Sequence, residues 1–379
     1  MKIAIFSDSF LPTVDGAVMS IKNSTRILSK ENKIYLFIPS GSVKPPLNNI
    51  KYIELKSHEI GSYREYKARF PSFLRCYLEL KKIKPDIVHL ESIFGIAWEG
   101  LIAAKLLGIP IILTAHTIFP DTTGEISLFG IQESKYFKKF LWKYMNFFLN
   151  LCNLIITPSE TIKQELIKHN VKTPIQVISN GINTKLFTFY KRKNKKEVTA
   201  LYVGRLVSSK HVDVILKAFK LVLQEKIMSN LWIVGRGPEE KRLREYVNKN
   251  KLEESIKLFG CIENSKLPEI YKKADILVTA STIETEGITI LEGMSTGLPV
   301  VGVDARAIPL LIKKDVGFIA KPYNEKEIAE FIIKLAKNYK LRLKLGKNAS
   351  KKAEEYELEK VVSDLYKGYQ SLINKFNNN

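Results

Sequence analysis

Cysteine is scarce. The 379 residues hold three, Cys76, Cys152 and Cys261, widely spaced and odd in number. No Cys-x-x-Cys and no Cys/His cluster occurs, which argues against a disulfide framework or a structural zinc site. This usage suits a reducing compartment. Long apolar runs are missing as well. The longest, roughly residues 93–114, is broken by Glu99, Lys105 and Pro110, so a membrane-spanning helix is not expected. Only five residues lie between Lys2 and Asp8, too few for the apolar core of a secretory signal. They read better as a buried strand, and a cytoplasmic location is expected.

Acidic residues are in short supply. There are 39 Asp and Glu against 60 Lys and Arg, a formal net charge of +21. Such an excess favours polyanions: nucleic acid, anionic lipid surfaces or phosphorylated substrates. A Lys- and Asn-rich codon bias would give the same totals, so composition alone does not choose. What is present in normal measure is apolar content, 45% of residues, which excludes a wholly disordered chain. The length suggests two or three domains.

Short apolar runs alternate with helical patterns. Residues 3–6, 34–38, 87–90, 111–115 and 154–157 form one series. Runs of four to six apolar residues between helices are what parallel strands, buried on both faces, look like. A second series, at 200–203, 231–234, 256–259, 276–279 and 300–303, follows the basic stretch Tyr190–Glu197. That stretch reads as a linker or hinge. Helices are expected between the second-series strands at roughly 210–226, 238–249, 265–273, 287–296 and 325–336. The tail from Glu354 to Lys375 has a helical period. The expected fold class is α/β, with two Rossmann-like doubly wound domains facing across a cleft. The first domain is expected at 1–190 and the second at 197–356, with a C-terminal helix at about 357–379 packing back on the first.

In doubly wound sheets, ligands bind outside the carboxyl ends of the strands, so the loops there carry the search. Ser7 to Val18 follows the first strand and contains Pro12 and Gly16. Its exposed N–H groups suit a phosphate, although an ordinary βα loop competes and the glycines of a GxGxxG fingerprint are absent. Arg205 and Lys210, in Gly204–Lys210 after the first strand of the second series, can converge on one diphosphate. In Ser281–Val301, Glu284 precedes a helix and Glu292 lies eight positions on. Gly287 opens that helix, where N–H groups and the positive dipole end would hold a diphosphate. Glu284 would then accept from sugar hydroxyls and Glu292 from ribose hydroxyls. A capped amphipathic helix with two exposed glutamates is the plainer alternative.

These segments carry a resemblance. Glu284-x7-Glu292 with Gly287 between, then Glu-Gly-Met-x-x-Gly-x-Pro-Val-Val, resembles the signature of the retaining family-4 glycosyltransferases, which have the GT-B fold. Gly204-Arg205-x4-Lys210, Val234–Pro238, Thr157–Ser159 and Ser179–Ile182 match the same family, in order along nearly the whole chain. The resemblance implies sugar transfer from a nucleotide diphosphate donor with retention of configuration. It implies diphosphate binding by Arg205 and Lys210, and donor-sugar contact by Glu284. It further implies backbone contacts at Gly287, Ile288 and Thr289, ribose binding by Glu292, base reading near Ile262 and a phosphate-side role for Gly16. His116, in Ala115-His116-Thr117, matches the active-site histidine near the donor sugar. A lone histidine at a strand end is otherwise more often structural, and the match reverses that for His116 alone. The catalytic set is thus His116, Glu284, Arg205 and Lys210. No Asp-x-Asp occurs, so neither a bridging metal nor another cofactor is expected.

A narrower likeness concerns the acceptor. Phe6–Pro12, His116-Thr117, Glu284–Thr289 and Asp304–Pro309 resemble diacylglycerol glucosyltransferases, which use UDP-glucose and a lipid acceptor at the membrane. Glu286 departs from that branch, where Gln is usual. Independently, residues 135–151 place Phe137, Phe140, Leu141, Tyr144, Phe148 and Leu151 on one helical face and Lys135, Lys138, Lys139 and Lys143 on another. Arg69–Lys84 carries a similar stripe of Phe70, Phe73, Leu74, Tyr77 and Leu78. Aromatic and basic faces suit an interfacial helix, while a helix packed on its own sheet with a solvated basic face competes. The expected partners are a nucleotide sugar, a lipid acceptor and an anionic surface on the inner face of the cell membrane. A soluble glycan or small-molecule acceptor is the alternative. An epimerase of similar fold is poorly supported, and nucleic-acid binding lacks a motif.

Overall fold

The computed structural model describes residues 1–13, 15–56, 58–59, 67–68, 73–118 and 135–378. The chain divides into two units. Met1–Gly181 with Leu358–Asn379 form the first and Ile182–Glu357 the second.

The first unit opens with β1 (Lys2–Phe6), α1 (Gly16–Leu28), β2 (Lys33–Pro39) and β3 (Ile50–Leu55). The short pair β4 (His58–Glu59) and β5 (Lys67–Ala68) is followed by α2 (Phe73–Ile83), β6 (Ile87–Leu90), α3 (Gly95–Leu107) and β7 (Ile111–Thr114). Next come α4 (Lys135–Leu149), β8 (Leu154–Thr157), α5 (Glu160–Lys168) and β9 (Ile175–Val177). Its main sheet has seven parallel strands in the order β3-β2-β1-β6-β7-β8-β9. Ile3 lies beside both Ile34 and Ile87. Strands β6 and β7 are buried throughout, as a sheet covered on both faces requires. Residues of α2–α5 build the core on one face and residues of α1 and the C-terminal helix the core on the other.

The second unit runs β10 (Val198–Val203), α6 (Val212–Gln224), β11 (Ser229–Val234), α7 (Glu240–Lys249), β12 (Ile256–Gly260), α8 (Leu267–Lys273) and β13 (Ile276–Val278). It continues through α9 (Ile288–Ser295), β14 (Val300–Val303), α10 (Ile308–Leu311), β15 (Gly317–Ala320), α11 (Glu325–Lys337) and α12 (Tyr339–Ala353). Six parallel strands are ordered β12-β11-β10-β13-β14-β15. The chain then returns to the first unit as α13 (Leu358–Asn377), which buries Leu358, Val361, Val362, Leu365, Tyr369 and Leu372.

Both units are therefore doubly wound α/β sheets. Strand order reverses beside β1 in the first and beside β10 in the second, and such switch points open a crevice at the strands' carboxyl ends.

The units divide at Gly181/Ile182, whereas the first domain is expected to run to 190, and the stretch 190–197, expected as a linker or hinge, has positions tied into the second unit. Phe187 is buried in the second unit's core, and the Tyr190 N–H donates to the Thr296 carbonyl. Arg192 is only 6% exposed. Its guanidinium donates to the carbonyls of Tyr190, Tyr271, Ala274, Thr296 and Gly297. A basic side chain can leave water when its donors are all met, and here they close the carboxyl ends of α8 and α9, where cations are favoured.

Candidate active site

In the second unit, the loops at the β10/β13 switch point converge. The Gly204 N–H donates to the Val234 carbonyl, Leu206 to Arg236, and Gly235 to Gly260. Gly235 sits at φ 144°, and a Cβ there would lie 1.8 Å from the Gly204 carbonyl oxygen. Only glycine allows the two backbones to pass so closely. The next turn, Ser208–Lys210, leads into α6. Its Ser209 carbonyl accepts from the Thr282 N–H at 3.1 Å, and His211 Nε2 lies 3.1 Å from the Thr282 hydroxyl. The loop after β10 is thus laced to the loop after β13.

That lacing brings Lys210 to Glu284. Lys210 Nζ donates to Glu284 Oε1 at 2.5 Å, with the two side chains 13% and 17% exposed. The Glu284 carbonyl accepts from the Ala307 N–H, fixing the backbone beneath the carboxylate. Gly287 caps α9 at φ 90°, ψ 51°, a conformation natural to glycine. The N–H groups of Ile288 and Thr289 then stand in the first turn, ahead of the donors that have partners within the helix. One turn further, Glu292 Oε2 accepts from the Tyr271 hydroxyl at 2.8 Å, and the Thr289 carbonyl lies 3.1 Å from the same hydroxyl. Burial pushes the Glu292 carboxyl up to about 7, against the opposing effect of the Tyr271 hydrogen bond. Arg205 is exposed on the same loop as Lys210, and its carbonyl accepts from Tyr202 Oη. Ile262 is half-buried just beyond β12.

The first unit holds a second cluster. Gly16 is the exposed first residue of α1, whose N-terminus is capped by the Asp15 carboxylate through the Val18 N–H at 2.8 Å. Asp8, just past β1, accepts from the Ile96 N–H at 2.6 Å and from the Ser92 hydroxyl. His116, just beyond β7, lies with Nε2 2.8 Å from Glu91 Oε2. Glu91 follows β6 directly. Among the described residues, no group of three His, Cys, Asp or Glu side chains is arranged to hold a metal ion.

Helix α4 corrects the expected aromatic face. Leu141 and Phe148 are buried, with Trp142, Met145 and Leu149. Tyr144 donates to the Ile93 carbonyl and accepts from Trp98 Nε1. Half of the expected stripe therefore covers the sheet. The outward aromatics are Tyr136, Phe140 and Phe147, at 86%, 61% and 61% exposure, and their spacing puts them on one side of the helix. Lys138, Lys139 and Lys143 are exposed around them, while the Lys135 side chain lies outside the described residues. On α2, Leu74 and Leu78 face outward, and Cys76, Leu80 and Ile83 face the core. Arg69 and Phe70 fall outside the described residues. No helix among the described residues is long and apolar enough to cross a membrane.

Four contributors had escaped sequence reasoning. Tyr271 and Arg192 brace Glu292 and its helix, and Glu91 and His89 surround His116's side of the first sheet. The buried position of a carboxylate directly after β6 was the available signal. Nothing local marked Tyr271.

Two units, each a parallel doubly wound sheet with its loops gathered at the strand ends, are the architecture of the GT-B glycosyltransferases. Residues 14–186 match the family model described as Glycosyltransferase Family 4, and residues 184–352 that described as Glycosyl transferases group 1. The chain belongs to the family-4 glycosyltransferases. It is 27% identical over 395 residues to alpha-monoglucosyldiacylglycerol synthase of Acholeplasma laidlawii, covering 100% of this chain and 98% of the relative. The Streptococcus pneumoniae enzyme of the same name is 27% identical over 389 residues, covering 96% and 87%. Among solved structures, Anabaena Alr3699/HepE in complex with UDP and glucose superposes with a TM-score of 0.77 at 18% identity, covering 98% of this chain and 100% of that one.

Proposed function

We propose that this glycosyltransferase moves a hexose, glucose, from UDP-glucose onto a membrane lipid such as diacylglycerol, with retention of configuration and without a metal. The observation that carries the reading is the Lys210–Glu284 pair at the β10/β13 switch point, with the opening of α9 on the same loop. A cation and a free helix start together suit a diphosphate, and a carboxylate beside them suits sugar hydroxyls.

Lys210 and Arg205 would neutralise the nucleotide as it leaves, stabilising charge where it develops. Glu284 would hold the sugar, and Glu292, steadied by Tyr271, would take the ribose hydroxyls. Backbone groups near Ile288, Thr289 and Ile262 would complete the donor's contacts. His116 and the Gly16 loop would serve the sugar and phosphate sides. No carboxylate is assigned as nucleophile. The acceptor would enter on the face the donor leaves, with the departing phosphate oxygen taking its proton.

The lipid acceptor is supported by the named activities of relatives matched along almost their full length. It is also supported by α4, whose outward aromatics and lysines suit an anionic interface on the inner leaflet. Incubation with UDP-glucose and diacylglycerol vesicles tests the reading. The expected product is a glycolipid whose anomeric proton coupling matches the donor's α linkage, formed equally with and without EDTA. Transfer only to soluble acceptors would overturn the lipid assignment. An inverted linkage would overturn retention.

A further inference from the structure

The first unit buries a polar chain that the donor-site argument leaves unused. Tyr369 of α13 lies with its hydroxyl 2.7 Å from His89 Nδ1, and His89 Nε2 is 2.7 Å from the Thr114 hydroxyl. His89 Nδ1 also lies 3.6 Å from Glu91 Oε1, and Glu91 Oε2 is 2.8 Å from His116 Nε2. The Glu91 and His116 side chains are 4% and 9% exposed, and Tyr369 is fully buried.

The charge state of Glu91 fixes the proton it faces. Burial opposes ionisation of Glu91, but the facing imidazoles of His89 and His116 and the Thr114 hydroxyl hold its carboxyl below the usual range. An ionised carboxylate only accepts. His116 Nε2 must therefore carry a proton to donate to Glu91. Tyr369 Oη and Thr114 Oγ1 occupy the two nitrogens of His89 beside it. Tyr369 stays protonated because burial pushes its hydroxyl well above the ordinary range.

We infer that Glu91 is a positioning residue for His116, and that Tyr369 on the C-terminal helix, through His89, supports the same buried polar cluster. Ionised carboxylates are costly to bury, and this one directly follows the fully buried strand β6 at the edge where ligands bind. A base or donor held by a third group is the arrangement that makes a histidine's protonation state and aim definite. The consequence for transfer rests on the glycosyltransferase reading above, and the consequence for the histidines does not.

The test is made on the full chain. Nitrogen-15 NMR of the imidazoles is expected to show a proton on Nε2 of His116 across the neutral range. In Glu91→Gln, which keeps shape but loses charge, the His116 titration midpoint moves to lower pH. With a turned-over nucleotide sugar, kcat falls about tenfold or more while the donor KM stays within about twofold. Neutral His116 protonated at Nδ1 instead, or an unmoved midpoint in folded Glu91→Gln, or kcat within about twofold of the parent, overturns the inference. Should Glu91→Gln fail to fold, the tautomers of the parent protein still decide. Because they are read without substrate, they stand apart from the donor's identity.

Discussion

The Tyr271 hydroxyl donates to Glu292 across 2.8 Å, joining the helix before β13 to the helix after it. Burial raises the Glu292 carboxyl to about 7, and the Tyr271 bond works in the opposite direction. In the proposed ribose role the ionised form would accept the two hydroxyl protons. Donor KM is therefore expected to rise as pH falls below about 7. Tyr271→Phe should shift that rise to higher pH and increase KM about tenfold at neutral pH. Initial rates across a pH series check both, and a pH-independent KM would remove Glu292 from the ribose role.

The same carboxyl has an opposite effect on the unliganded fold. Its folded-state value lies above the ordinary 4.5, so the native state binds more protons between those limits. Its stabilising contribution is present below about 4.5 and lost as pH rises through about 7. Glu292→Gln is expected to raise the melting temperature at pH 8 by several degrees, on the order of 3 °C or more. It should do so while weakening donor binding. Melting curves with and without UDP separate the two effects.

Lys210→Ala removes the partner of Glu284 and the cation proposed to meet the diphosphate. Turnover is expected to fall about a hundredfold, and Arg205→Ala should also lower it. Glu284→Gln and Lys210→Ala combined should cost less than the product of the single losses, because the residues touch. Additive losses in a double-mutant cycle would show that the pair does not act together.

Arg192→Ala would take the guanidinium donor from five carbonyls, of which Thr296 keeps the Tyr190 N–H. A loss of about 3 kcal/mol or more is expected, read by denaturant unfolding. Arg192→Lys should recover only part of it, since an ammonium cannot span the same fork of acceptors.

Replacing Lys135, Lys138, Lys139 and Lys143 together is expected to weaken binding to anionic vesicles by about 10²–10³-fold, from about 1 kcal/mol per lysine. Replacing Tyr136, Phe140 and Phe147 by Ser should weaken binding at high salt as well. Donor hydrolysis in detergent should be unchanged in both. Vesicle sedimentation that ignores both sets would deny α4 a membrane role.

Much of this architecture could be read from patterning. Central strands such as β1, β6, β7, β10 and β13 are short apolar runs because both faces are covered. The edge strand β3 escaped notice because its burial alternates, and β9 because its last two residues are exposed. The loops bearing Arg205, Lys210, Glu284 and Glu292 were marked by residue type and spacing. Arg192 was hidden inside a basic run, since its burial depends on carbonyls more than seventy positions away. The aromatic period of α4 was visible, yet which aromatics turn outward was decided by Trp98 on another helix. Tyr271 and Tyr369 act through contacts that no local signal announces.

The Ile182 N–H donates to the Tyr356 carbonyl at 2.8 Å, and Ile182 forms a bridge with Glu357. The place where the polypeptide leaves the first sheet thus adjoins the place where it comes back. Residues 182–357 form an insert with touching ends, so a brief loop could rejoin Gly181 to Leu358 and leave the first sheet and its closing helix on one uninterrupted chain. The excised segment could equally be recut at a surface turn and its old ends fused. Either rearrangement would let the Lys210–Glu284 half and the His116 half be studied apart without opening a hydrophobic core.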